Sequence, residues 1–345
     1  MNEKAALVST DPAKEASVAR SRGFREWIPI DGYAAVLFFV AFFIVVAVLE
    51  GQSFASWTNI SLVLGQNAYI VFAALGVTIT LIAGQFDLSI GPVLGFSALL
   101  VADLTANRGV STPIAILVVI VVAAVIGLVN GVLVVGAQVS AFITTLATGG
   151  AVSGVALILS NSAVVYSGVS PELIQLGAGR VLGISVLFWI ALVMVGTAWL
   201  LTRQTVQGRE WFAMGANAEG ARLAGVRVGR GTVLAFVVGA VIAGFGGVLL
   251  TGLLGSASPS TGPGLLLPAF AAAFLGSSIL SDGRFTVVGT FVATFLVAIA
   301  GSGLDSLGIP AGAKPVFTAV VLIGAVWLTT AIRRRGGSRR RPART

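Results

Sequence analysis

Asp87 is a carboxylate set between two long apolar runs. It lies in the segment Gly84-Gln-Phe-Asp-Leu-Ser-Ile-Gly91, and no other charged residue occurs from 51 to 102. A charged carboxylate at the bilayer centre costs about 2.5–3.5 kcal/mol on insertion scales, so something must offset it. Either Asp87 or Ser89 caps the following helix by accepting from its free amides, or the segment is a broken helix that lines a pathway. The two interpretations need the same geometry and are compatible.

Polar side chains within the apolar runs are the other candidates for a route through the membrane. Each either faces a hydrophilic solute or bonds a neighbouring helix, a contact that contributes about 0.6 kcal/mol. The residues assigned to a translocation pathway or a helix break are Gln66, Asn67, Asp87, Ser89, Gly91, Asn130, Thr144 and Thr145. The chain lacks the repeated intramembrane carboxylates on which proton-coupled carriers and pumps depend.

Composition excludes several kinds of chemistry. The chain has no Cys and no His, which rules out disulfides, thiolate chemistry, imidazole metal ligands and histidine acid–base catalysis. It also lacks the Gly-x-x-x-x-Gly-Lys-Ser/Thr sequence that cradles nucleotide phosphates, so we expect no ATP hydrolysis by this chain alone. We predict no catalytic residue, no metal site and no cofactor bound by the chain itself.

A long polar segment, residues 203–230, separates apolar runs in mid-chain and carries five Arg and two Glu. Asn217 is expected to cap a short helix over 218–224, with Glu219 in its favourable first turn and a left-handed Gly225 closing it. So short a helix is unstable alone in water, and the cytosolic side of the chain offers no other domain against which it could pack. A separate partner is therefore implied.

The surface predicted for that partner combines charges with apolar anchors. Glu219 and Arg222 are three residues apart and share a helix face, while Leu223 and Trp211 are expected to supply the apolar anchors. The residues assigned to docking are Arg209, Glu210, Trp211, Asn217, Glu219, Arg222, Leu223 and Gly225. The turn at 281–284 is the next candidate for this contact.

Hydropathy predicts the elements that position these residues. The chain is 57% hydrophobic and 10% charged, with a mean hydropathy of +1.01, whereas a soluble domain is about a quarter charged. About 20 apolar residues cross the hydrocarbon core. About ten helices fit the apolar runs, near 33–49, 60–84, 89–104, 113–136, 141–160, 184–202, 231–253, 265–280, 286–303 and 314–332. The predicted fold is an all-α polytopic membrane protein.

The distribution of basic residues predicts the orientation, because Arg/Lys-rich loops stay in the cytoplasm. With the N-terminus inside, 18 of the 21 basic residues are cytosolic and three, Arg108, Arg180 and Lys314, are outside. The chain then divides into a cytoplasmic segment 1–31, a transmembrane domain 32–332 and a basic cytoplasmic tail 333–345. We expect the tail to contact anionic membrane lipid and not nucleic acid.

Three glycine-bounded segments, Gly84–Gly91, Gly215–Gly225 and Gly276–Gly289, occur in a fixed order along the chain. Together they resemble segments of the permease subunits of bacterial ribose-type ATP-binding cassette importers, and their order and spacing agree with that family over about residues 35–332. The first is similar to a Gly-Gly-Ile-Asp-Leu-Ser-Val-Gly signature and the second to a cytoplasmic Gly-x-Asn…Ala-Arg-Leu-x-Gly loop. Gln85, Phe86 and Gly220 stand where the family usually has Gly, Ile and Ala.

The resemblance implies a permease of the bacterial inner membrane that translocates a simple sugar such as ribose or xylose. It implies three partners: a cytosolic ATPase subunit that binds ATP and Mg, an extracytoplasmic sugar-binding protein, and a second permease copy, identical or paralogous. Residues 203–230 would then be the loop that couples the permease to the ATPase. Neither the chain nor the resemblance implies an enzyme.

Other interpretations stay open at this point. The chain could be the permease of a related branched-chain amino-acid or nucleoside importer. A ten-helix secondary carrier should show two five-helix repeats and no docking loop. A membrane enzyme such as a lipid transferase should show paired carboxylates or His near a membrane face, and the sequence has neither.

Overall fold

The described part of the chain is mostly helical, which confirms the all-α prediction. The computed structural model describes residues 30–280 and 283–338. Its α-helices are α1 Ile30–Glu50, α2 Trp57–Ile82, α3 Ile90–Ala102, α4 Thr112–Gly136, α5 Ala141–Leu159, α6 Pro171–Ala178, α7 Val186–Gln204, α8 Val206–Ala216, α9 Ala218–Leu223, α10 Val228–Leu254, α11 Leu266–Leu280, α12 Val287–Ser306 and α13 Ala313–Ser338. A two-residue antiparallel pair, β1 Arg180–Val181 and β2 Ile184–Ser185, precedes α7.

Some predicted features lie outside the described residues. They are residues 1–29 of the N-terminal segment, residues 281–282 of the second candidate docking turn, and residues 339–345 of the basic tail.

Each of the ten predicted ranges falls on one helix. Seven helices of the described part have the length and hydropathy of membrane spans: α2, α4, α5, α7, α10, α12, and α3 together with the π-helical turn Asp103–Asn107. The other three ranges contain shorter apolar stretches, Val36–Glu50, Pro263–Ile279 and Ala313–Trp327. A multi-pass membrane protein is confirmed, and the count of ten spans stays a prediction.

Helix α10 lies at the centre of the bundle and packs against α2, α3, α4 and α6. The inner spans are 67% buried for α2 and α10 and 78% for α3, whereas α4, α5 and α7 are 28% buried. In lipid, the hydrophobic effect contributes little to the association of apolar helix faces. Such a core is therefore stabilised by close packing of the helix backbones. A Cβ on Gly76 of α2 would lie only 2.8 Å from the carbonyl oxygen of Gly239 on α10.

The connection between α5 and α7 folds back over one end of the bundle. Helix α6 packs against α10, and a Cβ on Gly177 would lie 2.8 Å from the Cα of Gly252 near the end of α10. The hydroxyl of Ser185 donates to the carbonyl of Gly177 at 2.9 Å, which fixes α6 to the start of α7. This connection covers the end of α10 that lies opposite to α8 and α9, since those two helices immediately precede α10 in the chain.

Candidate functional site

Asp87 is fully buried in the turn between α2 and α3, although Phe86 next to it is 46% exposed. The chain leaves α2 through Gly84, whose φ of +80° is in the left-handed region that favours glycine. The Oδ1 atom of Asp87 accepts from the hydroxyl of Ser89 at 2.6 Å and from the amide of Ser89 at 2.8 Å. Hydrogen bonds to a charged acceptor contribute about 1.5–3 kcal/mol each, which offsets much of the cost of burying the carboxylate.

The hydroxyl of Ser89 links this turn to α4. Ser89 stands at the N-cap position of α3, but its side chain makes no capping bond. Instead, the hydroxyl oxygen of Ser89 accepts a hydrogen bond from Nδ2 of Asn130 at 2.8 Å, and the same hydroxyl donates to Oδ1 of Asp87. The interpretation in which Ser89 caps α3 is therefore wrong, because its hydroxyl connects Asp87 to Asn130 and makes no bond to the first turn of α3.

A second link joins the turn to α5. Oγ1 of Thr145 accepts from the amide of Leu88 at 2.9 Å and donates to the carbonyl of Ala141 at 2.7 Å. Asp87, Ser89, Asn130 and Thr145 were assigned separately to a pathway or a helix break, and the structure brings all four to one turn. Three helices, α3, α4 and α5, are thereby fixed to each other through polar contacts.

The turn also retains unused hydrogen-bonding capacity. Within the described residues, Oδ2 of Asp87 and Oδ1 of Asn130 are buried acceptors without a partner, and the buried hydroxyl of Thr144 next to Thr145 also has none. A buried polar atom without a partner costs about 1–3 kcal/mol.

A second segment without α-helix, residues 255–265 between α10 and α11, ends in the 3-10 turn Pro263–Leu265 and reaches the same turn. A Cβ on Gly91 would lie 2.6 Å from the carbonyl oxygen of Gly262, so α3 and this segment touch through their backbones. The rings of Phe86 and Phe270 stack with centroids 6.3 Å apart, which extends the contact into α11. Irregular backbone at membrane depth is tolerated only where it is buried in protein or lines water. Gly91 therefore has a packing role at the helix break.

Gln66 and Asn67 lie elsewhere, in the first half of α2. They line a cavity of about 370 Å³ between α2, α11, α12 and α13, and Nδ2 of Asn67 donates to the carbonyl of Val63 at 2.9 Å. The predicted pathway residues thus form two groups, one at the Asp87 turn and one in this cavity. Asp305 and Lys314, which pair at 2.5 Å on the cavity wall, were missed, although opposite charges flanking the connection between the last two apolar runs were visible in the sequence.

Helix α8 is the anchored part of the segment 203–230. The hydroxyl of Thr205 caps it by accepting from the amide of Gly208 at 3.1 Å. Trp211 is fully buried, and its Nε1 donates to the carbonyl of Gly231 in α10 at 2.8 Å. The expectation that Trp211 anchors a partner at the surface is corrected by this burial: the indole fastens α8 to α10 within the chain. Arg209 on the other face is exposed, and Glu210 is half-buried.

Helix α9 is the exposed part of the same segment. Oδ1 of Asn217 caps it by accepting from the amide of Gly220 at 3.0 Å, and Gly225 closes it with a φ of +87°, as predicted. Arg222 and Glu219 pair across one face at 3.3 Å with both side chains about two-thirds exposed. Leu223 is 83% exposed. The helix thus presents a charged pair beside an apolar side chain on the protein surface.

The two polar sites touch each other at two glycines. Gly215, the residue before the last of α8, lies against the end of α2, where a Cβ on Gly215 would be 2.1 Å from the carbonyl oxygen of Ile82 and 3.2 Å from the amide nitrogen of Gly84. Asp87 follows Gly84 by three residues. The exposed helix α9 is therefore connected through Gly215 to the buried Asp87 turn, a contact that sequence spacing did not indicate.

Comparisons with known proteins agree with this arrangement. A family model described as "Branched-chain amino acid transport system / permease component" matches residues 59–326. The ribose import permease protein of Haemophilus influenzae is 29% identical over 295 residues, which cover 84% of this chain and 90% of that protein.

Permeases of a second import system, that for autoinducer 2, are similar to the chain to the same degree. The autoinducer 2 import system permease protein of Photorhabdus luminescens is 29% identical over 293 residues, covering 85% of this chain and 87% of that protein. The protein of the same name from Salmonella choleraesuis is 32% identical over 293 residues, covering 85% of this chain and 83% of that protein. No solved structure matches the chain.

The matched region runs from the first turn of α2 into α13, so it contains the Asp87 turn, α8, α9 and the cavity at Gln66. Because the chain has several apolar helices of spanning length and matches a permease component, it is a multi-pass protein of the inner membrane. The protein belongs to the family of branched-chain amino acid transport system permease components.

Proposed function

We propose that this chain is the membrane permease of an ATP-driven importer for a simple sugar of the ribose or xylose kind. The contact between Gly215 and the end of α2 carries the proposal, because it joins an exposed docking helix to a buried polar turn. The relatives named above are import permeases for ribose and for autoinducer 2. Those names favour a sugar, while the family description also includes branched-chain amino-acid transport.

The partners follow from the work that the chain cannot do alone. A cytosolic ATPase subunit binds ATP and Mg and docks on α9, an extracytoplasmic binding protein delivers the solute at the opposite end, and a second permease copy completes the membrane part. Both termini and the segment 203–230 face the cytoplasm, where the excess of Arg and Lys belongs. The covered end formed by α6 and the β1–β2 pair faces the binding protein.

Force from the ATPase reaches the pathway in short steps. Movement of α9 is transmitted to α8, which Trp211 fastens to α10 through the bond to Gly231. Gly215 at the end of α8 then displaces Gly84 and with it the Asp87 turn. Because Asn130 and Thr145 bond that turn to α4 and α5, its displacement changes the spacing of three helices at once.

The experiment that tests the proposal is reconstitution into liposomes. The purified permease alone should show neither ATPase activity nor solute uptake, and ATP-dependent uptake should appear when the cassette ATPase and the binding protein are added. ATP-independent uptake by the permease alone would instead establish a secondary carrier. Uptake of leucine and not of pentoses by the complete system would establish the second candidate, a branched-chain amino-acid importer.

A further inference from the structure

The cavity of about 370 Å³ next to Gln66 and Asn67 lies between the first half of α2, the start of α11, and the facing ends of α12 and α13. Its volume is in the range of small-ligand sites, about 300–1,000 Å³. We propose that this cavity is a binding site for a small neutral polyhydroxylated solute, a monosaccharide, within the permease itself. The inference rests on the proposed importer function and adds to it the place where the solute is held.

The polar lining offers both hydrogen-bond donors and acceptors. Gln66 and Asn67 contribute amides, and Ser302 and Thr318 contribute hydroxyls. The Thr318 hydroxyl donates within its own helix to the carbonyl of Lys314 at 2.9 Å, so its lone pair can accept from a ligand. A monosaccharide carries several hydroxyls, each of which can both donate and accept, and this mixed lining suits it.

The charges of the cavity offset each other. Nζ of Lys314 and Oδ2 of Asp305 are 2.5 Å apart, and both side chains are about half exposed. A hydroxyl can join such a pair by donating to the carboxylate or accepting from the ammonium, and bonds with an ionised partner are the stronger kind. A zwitterionic amino acid would have to break the ion pair between Asp305 and Lys314 before its ammonium could bind Asp305 and its carboxylate could bind Lys314. The pair therefore favours a neutral solute.

The position of the cavity connects it to the Asp87 turn. Its wall includes Gly264 of the segment 255–265 and Pro268 of α11. Gly262, two residues before Gly264, touches Gly91, and Phe270, two residues after Pro268, stacks on Phe86. A solute held in the cavity therefore lies one short segment away from the turn that α8 contacts.

Filling the cavity tests the site. A Cβ on Gly301 in α12 or on Gly196 in α7 would meet no atom within 4 Å, and of these two glycines only Gly301 lines the cavity. Gly301→Leu should therefore lower ATP-dependent uptake by the complete importer at least about tenfold with unchanged ATPase co-purification, and Gly196→Leu should leave uptake unchanged. Normal uptake with Gly301→Leu would overturn the proposal.

Cysteine protection tests binding without transport. The natural chain has no Cys, so Ser302→Cys in the cavity and Ser306→Cys one turn further along α12 each introduce a unique thiol. The full-length permease is labelled with a membrane-impermeant maleimide in the presence of ribose, xylose, glucose, galactose or leucine. One of the sugars, at about three times its Kd, should slow labelling of Ser302→Cys about fourfold, and Ser306→Cys should react at one rate throughout.

The outcomes separate this inference from the importer function. Protection by leucine alone, equal protection of both thiols, or no protection by any of the four sugars would overturn the sugar site. Each of those results leaves ATP-dependent uptake by the complete system as a separate measurement. Loss of ATP dependence would overturn the importer function even if a sugar protected Ser302→Cys.

Discussion

The helix α9 and the Asp87 turn are polar interruptions at the same end of the bundle, but they are held in opposite ways. Helix α9 is exposed except for Ala221, and the hydrogen bonds of its two ends come from residues 217–226. The Asp87 carboxylate is fully buried, and its turn is bonded to Asn130 and Thr145 on two other helices. An element held by its own ends can be pushed as one body, whereas a turn bonded to its surroundings changes them when it moves.

The largest effect is expected where the two regions meet. In Gly215→Val, the added Cβ would lie 2.1 Å from the carbonyl oxygen of Ile82, and a backbone atom cannot rotate away. The end of α8 must therefore separate from α2, which removes the path from α9 to the Asp87 turn. We expect uptake by the complete importer to fall more than about 100-fold, or nearly 3 kcal/mol, with membrane insertion retained.

The matched control for this variant is the neighbouring residue. Ala216→Val adds comparable bulk at an exposed position of the same helix and should transport normally. Uptake and ATPase co-purification are measured for both variants beside the wild type. If Gly215→Val transports as well as Ala216→Val, the contact between α8 and α2 carries no force and the comparison of the two regions loses its physical link.

A smaller effect is expected from the chemistry of the turn itself. Asp87→Leu removes the acceptor for both bonds from Ser89 and should reduce uptake strongly at normal expression. Asp87→Asn keeps an oxygen acceptor at Oδ1 and should retain several-fold more activity than the Leu variant. Equal failure of both variants would show that the negative charge is needed, and normal uptake with Asp87→Leu would remove Asp87 from the mechanism.

A double-mutant cycle sharpens the same test. Asn130 reaches Asp87 through Ser89, so Asn130→Leu combined with Asp87→Asn should be non-additive in thermal stability, with a coupling of about 0.5–3 kcal/mol. The pair Glu219→Gln and Asp87→Asn should be additive, because no hydrogen-bond chain among the described residues joins α9 to the carboxylate. Additivity in both cycles would contradict the buried network.

The difference between the two regions also decides how much the sequence could predict. Asn217, Glu219 and Gly225 form a helix whose start, charge and end are all encoded within a few neighbours, so its geometry was predicted to within a residue. The ten apolar runs likewise locate helices, because burial in lipid depends on local composition.

The sequence could not predict contacts between residues that lie far apart along the chain. Asn130 and Thr145 lie more than 40 residues from the turn that they contact, and their type alone fits a helix contact as well as a pathway. Trp211 was expected to anchor a partner, and only its burial and its bond to Gly231 show that it faces inwards. The pairing of Asp305 with Lys314 depends in the same way on how α12 and α13 meet.

The smallest effect on stability and the most specific effect on coupling are expected at α9. The pair between Glu219 and Arg222 is about two-thirds exposed on both sides, and such pairs contribute only about 0–1 kcal/mol. Glu219→Lys should therefore leave thermal stability and membrane insertion unchanged, but it places two positive side chains on the face where a partner docks. We expect co-purification of the ATPase and ATP-driven uptake to fall together.

Glu50→Lys, the same charge change at the end of α1, should alter neither measurement. A Glu219→Lys variant with normal ATPase binding and normal uptake would show that α9 is an ordinary surface helix, and the docking contact would then be sought at the turn around Arg284.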